Sequence, residues 1–173
     1  MKRESHNSPE RGQAMLEVAL LLPMLLILAL GVIELGRYAY IGILVGNAAR
    51  AGAAYGAQSL PQSSPNPPGT GICNAASDDF QGGNVPCSGS QSSGSNGTIN
   101  ITSSNSCGCD SNGTVAPAVC STGTSPTAGT CASGHWVVMV SVTASGQFSS
   151  LFKYPGIPGS ISISKTATLR VAQ

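Results

Sequence analysis

Between residues 18 and 33 the sequence contains no charged residue, and the carboxylate of Glu17 immediately precedes this apolar run. The run predicts a membrane helix, since residues 35–45 extend it past the ~20 residues that a span requires. Pro23 lies inside the run and predicts a bend or a loosened turn, because proline cannot donate a backbone hydrogen bond. A carboxylate at the mouth of such a helix is costly to desolvate, so Glu17 is expected to have a function.

Positive charges at the start of the chain predict the orientation of this span. Lys2, Arg3 and Arg11 precede it, and the positive-inside bias keeps such a terminus in the cytoplasm. Residues from about 56 onward are then expected outside the cytoplasm. Charged residues make up 9% of the chain and the net charge is +1, so the composition gives no electrostatic footprint for nucleic acid.

The helix is predicted to continue to about residue 57. Glu34 and Arg37 are three residues apart and share a helix face, where they either pair with each other or contact a neighbouring subunit. Small residues then recur every four positions at Ala48, Gly52 and Gly56. They predict close packing against another element, either within the same subunit or across a subunit contact.

Residues 58–134 predict a loop-rich insert. Prolines and glycines between residues 60 and 71 end the helix, and Gly, Ser, Thr and Asn dominate the residues that follow. With so little apolar surface, this segment is expected to depend on disulfides between its six cysteines: Cys73, Cys87, Cys107, Cys109, Cys120 and Cys131. Six cysteines allow fifteen pairings, and the sequence does not choose among them, although Cys107 and Cys109 are too close to bridge each other comfortably.

A metal site and a catalytic site are alternatives for the same part of the chain. Thiolates of Cys107, Cys109, Cys120 and Cys131 with the imidazole of His135 form a possible metal ligand set, but no C-x2-C pair is present. A serine hydrolase would need a nucleophile elbow, and the sequence lacks a G-x-S-x-G motif. We therefore expect no catalytic residues, no metal ion and no cofactor.

The carboxyl-terminal residues alternate between apolar and polar. Segments 135–144 and 160–171 predict half-buried antiparallel strands. Lys165 falls on the apolar face, where it predicts an edge strand or an ion pair with an aspartate. The expected core residues are Trp136, Val138, Val140, Ile161, Ile163 and Leu169, packed against Ala49 and Ala53 of the helix.

These patterns together predict an α+β fold: a long pilin-like membrane helix packed on a small antiparallel sheet, with a disulfide-stapled, Cys-rich loop insert. The expected divisions are a leader at 1–12, the membrane and assembly helix at 13–57, the insert at 58–134, and carboxyl-terminal strands at 135–173.

Both ends of the chain resemble the TadE-like family. The similarity lies in the sequence RGQAMLEVALLLP at 11–23, in IELGR at 33–37 and NAARAGAAY at 47–55, and in the segment from 151 to 171 with PGIP and SKTATLRV. The resemblance covers about residues 11–57 and 135–172, and it leaves the cysteine-rich insert outside.

This resemblance implies a pseudopilin of the tight-adherence (Flp-type) pilus system in the bacterial inner membrane. A prepilin peptidase would cut between Gly12 and Gln13, which makes Glu17 the fifth residue of the mature chain. The implied partners are that peptidase, other pilins or pseudopilins and the inner-membrane assembly platform, with roles in pilus biogenesis, adhesion and biofilm formation. The alternative is an uncleaved, single-pass adhesin or binding module with an extracytoplasmic Cys-rich domain.

Overall fold

The computed structural model describes residues 10–63, 71–81, 87–90, 93–95, 97–120, 129–151 and 158–172. The helices in these ranges are α1 (Glu10–Gly56), α2 (Leu60–Ser63) and α3 (Gly71–Gln81). The strands are β1 (Ser88–Ser90), β2 (Ser93–Ser95), β3 (Ile99–Ser111), β4 (Thr114–Ala118), β5 (His135–Ser149) and β6 (Ser160–Arg170). The chain divides into two compact units, Met1–Tyr38 and Ala39–Gln173.

The strands form one antiparallel sheet in the second unit. The order is β1-β2-β3-β5-β6, and β4 pairs with β3 as well. β5 pairs with β3 from Asp110–His135 to Ile99–Gly146, and with β6 on its other edge. The predicted pairing of the two carboxyl-terminal strands is confirmed, as is the α+β class.

The core lies between one face of this sheet and the helices of the second unit. Alternate residues of β3 and β5 supply the sheet side, because side chains along a strand point to opposite faces in turn. On the helical side, α1 contributes small residues that allow close approach. The main buried residues are Val45, Ala48, Ala49, Ala53, Ile72, Ala76, Ile99, Ile101, Val138, Val140, Val142 and Ala144.

Two residues of the predicted core are largely outside it. Ile161 is 37% exposed and Leu169 is 41% exposed, whereas Ile163 on the same strand is 6% exposed. Ile161 and Leu169 are exposed because β6 is an edge strand, with a neighbouring strand on one side alone. Lys165 is exposed on this edge strand and faces Gly46 of α1. Its position agrees with the prediction that Lys165 lies on an edge strand.

The segment predicted as a loop-rich insert supplies a central strand. β3 is flanked by β2 and β4 on one edge and by β5 on the other. Little in this segment predicts a strand beyond Thr102, because the rest of β3 is mostly Ser, Asn, Gly and Cys rather than β-branched or aromatic. Cys107 takes an apolar position on the buried face and is 4% exposed.

A leucine at Gly52 is expected to destabilise the fold, whereas a leucine at Gly42 is not. A Cβ at Gly52 would lie 3.1 Å from Val142 Cγ1 and 3.2 Å from the Ile72 backbone oxygen, but at Gly42 it would meet nothing within 4 Å. Overpacking should cost Gly52→Leu about 1–3 kcal/mol of unfolding free energy. Gly42→Leu should be neutral or gain up to ~1 kcal/mol from helix propensity. Thermal unfolding in detergent, followed by circular dichroism, compares the two; equal melting temperatures would contradict the packing.

Candidate functional site

The first candidate site is the apolar surface of α1 in the first unit. Large apolar side chains from Met15 to Leu35 are mostly at least half exposed: Met15 is 78% exposed, Leu20 71% and Leu35 69%. Water is a poor solvent for so large a continuous apolar surface, which marks a membrane or protein contact. Among the described residues, one helix, Gly12–Gly56, is long and apolar enough to cross a membrane. The structure thus contains a single candidate membrane anchor in its described part, near the amino terminus.

Gly12, Gln13 and Glu17 lie at the start of this surface and in regular helix. A Cβ at Gly12 would meet nothing within 4 Å, so no packing requirement selects glycine there. Gln13 Nε2 donates a hydrogen bond to Glu17 Oε1 at 3.5 Å, which places both residues on one helix face. The side-chain amide of Gln13 is neutral, so Glu17 receives no compensating charge through this bond.

Glu34 and Arg37 form an ion pair one helical turn apart. Arg37 Nη1 lies 3.1 Å from Glu34 Oε2, and the two side chains are 38% and 12% exposed. Exposed helix pairs at this spacing contribute about 0.3–0.5 kcal/mol in water. The pair therefore matters more for neutralising two charges beside the apolar run than for helix stability.

The second candidate site lies at the end of the sheet where β3 ends and β5 begins. We call it the bridged sheet end; it comprises residues 107–120 and 129–135. Three disulfides form in the structure: Cys73–Cys87, Cys107–Cys120 and Cys109–Cys131. The last two connect β3 to residues that follow β4 and precede β5, and their Cα–Cα distances are 5.1 and 5.8 Å. The prediction of disulfides in the insert is confirmed, and Cys107 and Cys109 each pair elsewhere.

Asp110 is the polar centre of the bridged sheet end. Its Oδ2 lies 3.3 Å from Arg170 Nη1 and 3.5 Å from His135 Nε2, and its Oδ1 accepts a hydrogen bond from the Gly113 N–H at 3.0 Å. The Asp110 side chain is 14% exposed, so these donors replace much of its hydration. One carboxylate thereby joins β3, β5 and β6.

A two-residue turn forms the tip of this site, and sequence analysis missed it. Asn112 and Gly113 have φ angles of 52° and 84° between the paired residues Ser111 and Thr114. This is the left-handed geometry of a type I′ hairpin turn, for which Asn-Gly is the preferred sequence. The dipeptide was the available signal for the β3–β4 hairpin.

The bridged sheet end differs from both chemical alternatives raised by the sequence. Its four sulfurs are oxidised, which leaves no thiolate for the metal site considered at Cys107, Cys109, Cys120 and Cys131. Ser111 Oγ donates to the Ser133 carbonyl at 3.2 Å rather than to His135. Within the described residues, this geometry gives no serine the imidazole contact that a nucleophile requires.

Comparison with known proteins concerns the first site. The family described as TadE-like protein matches residues 12–54, the stretch that contains Gly12, Gln13, Glu17, the Glu34–Arg37 pair and the small residues of α1. No significant match was found among curated proteins or among solved structures. The resemblance inferred from the residues of the first site is thereby confirmed: residues 12–54 of this chain are similar to the TadE-like family. The resemblance stated for residues 135–172 lies outside the match and stays a prediction.

Proposed function

We propose that this chain is a pseudopilin, a minor pilin-like subunit of the Tad (Flp-type) pilus system, processed by a prepilin peptidase between Gly12 and Gln13. The TadE-like family implies an association with this pilus system. The observation that carries the finer proposal is the regular helix from Gly12 onward, which is apolar on its surface and carries near its start the Glu17 carboxylate, hydrogen-bonded to the neutral amide of Gln13.

The helix fits a membrane anchor in length. From residue 13 to 33 it measures roughly 30 Å at 1.5 Å per residue, close to the hydrocarbon thickness of a bilayer. Lys2, Arg3 and Arg11 favour a cytoplasmic amino terminus, which sends the second unit to the extracytoplasmic side of the inner membrane. Three disulfides suit that side, where thiols are oxidised.

Cleavage would change the electrostatics of the helix start. Removal of residues 1–12 takes away the basic leader and creates an ammonium group on Gln13, about 6 Å along the helix from Glu17. In an assembled filament, Glu17 of one subunit would meet the Gln13 ammonium of a neighbour among apolar side chains. Such a pair contributes little net stability, but breaking it leaves a buried charge, so it selects subunit register.

The remaining surfaces suit partners outside the membrane. The apolar helices would bundle with those of other pilins or pseudopilins at the inner-membrane assembly platform, and the sheet would face outward. The bridged sheet end is then the extracytoplasmic surface available for adhesion and biofilm formation. No part of this role requires catalysis.

An uncleaved membrane-anchored adhesin is the second candidate function. The bridged sheet end favours it, because two disulfides and the Asp110 contacts build a rigid, exposed structure that needs no polymerisation to bind a target. The two candidates differ in the state of the amino terminus.

The intact mass of the protein from host membranes tests the proposal. We expect a chain that begins at Gln13 and carries three disulfides. The matched control is the same host without prepilin peptidase activity, in which residues 1–12 should remain. Retention of residues 1–12 in the presence of the active peptidase would favour the uncleaved adhesin.

A further inference from the structure

The connectivity at the bridged sheet end interleaves two disulfides. Cys107 pairs with Cys120 across 13 positions and Cys109 pairs with Cys131 across 22. The opposite choice, Cys109 with Cys120 and Cys107 with Cys131, spans 11 and 24 positions. Because the probability of closing a flexible loop falls with about the 3/2 power of its length, the two choices differ roughly 1.1-fold in an unfolded chain. The unfolded chain therefore forms both at nearly equal rates.

The folded hairpin distinguishes these choices. In the β3–β4 register, Cys107 lies opposite Ala118 and Cys109 lies opposite Ala116. Cys120 therefore lies two positions beyond Ala118, the partner of Cys107. It lies four positions beyond Ala116, the partner of Cys109, and four positions measure roughly 13 Å along an extended strand. A disulfide needs Cα atoms within about 7 Å, so the formed hairpin permits the Cys107 bridge and excludes the Cys109 bridge.

The β3–β4 hairpin, which selects between the two pairings, depends on a strand that comes late in the chain. β3 makes its longest pairing with β5, and β5 begins at His135, after the last cysteine at Cys131. A two-stranded hairpin alone is marginally stable in water. With the amino terminus held in the cytoplasm, the residues after the span cross the membrane in chain order, so all six cysteines reach the oxidising side before β5 can hold β3 in register.

We propose that this protein is a substrate of a thiol–disulfide isomerase, which converts the Cys109–Cys120 and Cys107–Cys131 pairing into the native one. Each bridge first forms when two cysteine thiols give two electrons and two protons to a disulfide-bearing oxidoreductase. A thiolate of the isomerase then attacks one sulfur of a mispaired bridge, forms a mixed disulfide and releases a cysteine thiolate of the substrate. That thiolate attacks the second bridge, and further exchange restores the isomerase thiolate without net oxidation. From the proposed function this inference takes only the extracytoplasmic location of the second unit.

Oxidative refolding of the full-length chain in detergent tests the proposal. The reduced, denatured protein is oxidised with excess oxidised glutathione alone or, in a second arm, with protein disulfide isomerase and reduced glutathione added afterwards. The pairing is identified by partial reduction, cyanylation of the freed thiols and cleavage of the chain at those cysteines. Cleavage at each cysteine distinguishes Cys107 from Cys109, although only Gly108 lies between them. Among chains that carry one of these two competing pairings, we expect about half to have the native one in the first arm, and about a twofold increase of that share in the second.

A double variant provides the matched control. In Cys107→Ala/Cys120→Ala, Cys109 and Cys131 lose their competing partners at this site, so their bridge should form equally in both arms. If the unchanged protein reaches the native pairing in the first arm as fully as in the second, it needs no isomerase and the proposal is wrong. A second arm that stays mispaired would also overturn it. Neither result bears on pilus assembly, because the readout is the pairing alone.

Discussion

A Glu17→Gln variant is expected to enter the membrane and lose residues 1–12 normally, but to assemble poorly. Glutamine keeps the size of the side chain and removes its charge, so membrane insertion should be unchanged or slightly easier. In the filament, the Gln13 ammonium of the neighbour would then lack a counter-charge among apolar groups, at a cost of about 3–5 kcal/mol. That cost corresponds to a subunit association that is weaker by a factor of roughly 150 to 5,000.

Counting surface filaments and adherent cells, beside an immunoblot for processed subunit, measures this effect. Glu17→Asp is the matched control, because it keeps the charge at the same helix position and should assemble better than Glu17→Gln. If Glu17 merely favours the positive end of the helix dipole, its contribution is about 0.3–1 kcal/mol. The glutamine strain would then make normal pili, and the pairing mechanism would have to be abandoned.

A Gly12→Asp variant is expected to retain its leader. The peptidase must accommodate residue 12 at the scissile bond, and a carboxylate there would be desolvated without a partner. A penalty of about 3 kcal/mol slows cleavage roughly a hundredfold. The fold should be unaffected, since a Cβ at this position meets no atom within 4 Å.

Intact-mass analysis of the membrane fraction separates a processing defect from a folding defect. Gly12→Asp should keep residues 1–12 while retaining three disulfides. Gly12→Ala, which adds one methyl group without a charge, should be processed substantially more than the aspartate variant. Normal removal of residues 1–12 from Gly12→Asp would show that cleavage does not require glycine at residue 12, contrary to the proposal.

The sequence predictions were most accurate where the interacting residues are close together in the chain. α1 was predictable from its continuous apolar run, and β5 and β6 were predictable from their alternation of apolar and polar residues, because both signals are local and strong. The inner part of β3 was not, since Ser103, Asn105 and Gly108 have little intrinsic strand preference. All three are held by pairing with β5, and Gly108 is paired with β4 as well. Leu169 alternates like a core residue, yet its exposure depends on the position of its strand in the sheet.

The candidate sites also differ in how far the sequence alone could predict them. The helix-start residues Gly12, Gln13 and Glu17 could be singled out from the sequence because the proposal for them depends on their spacing along one helix. The Asp110 contacts were not predictable, because Arg170 is sixty positions away in the chain and reaches Asp110 across β5. The Asn112–Gly113 turn has a local sequence signal, the Asn-Gly dipeptide. The hairpin was nevertheless missed, because the serine-rich segment before the turn does not have the pattern of a strand.

The sequence by itself determined the long apolar helix, the TadE-like segment, the oxidation of the six cysteines and the alternation of the carboxyl-terminal strands. These properties depend on composition and on residues a few positions apart. Only the tertiary structure decided the cysteine pairing, the central place of β3 and the partners of Asp110. Loop-closure entropy barely distinguishes the competing pairings in the unfolded chain. The choice is therefore made by strand register, which exists only once distant segments have come together.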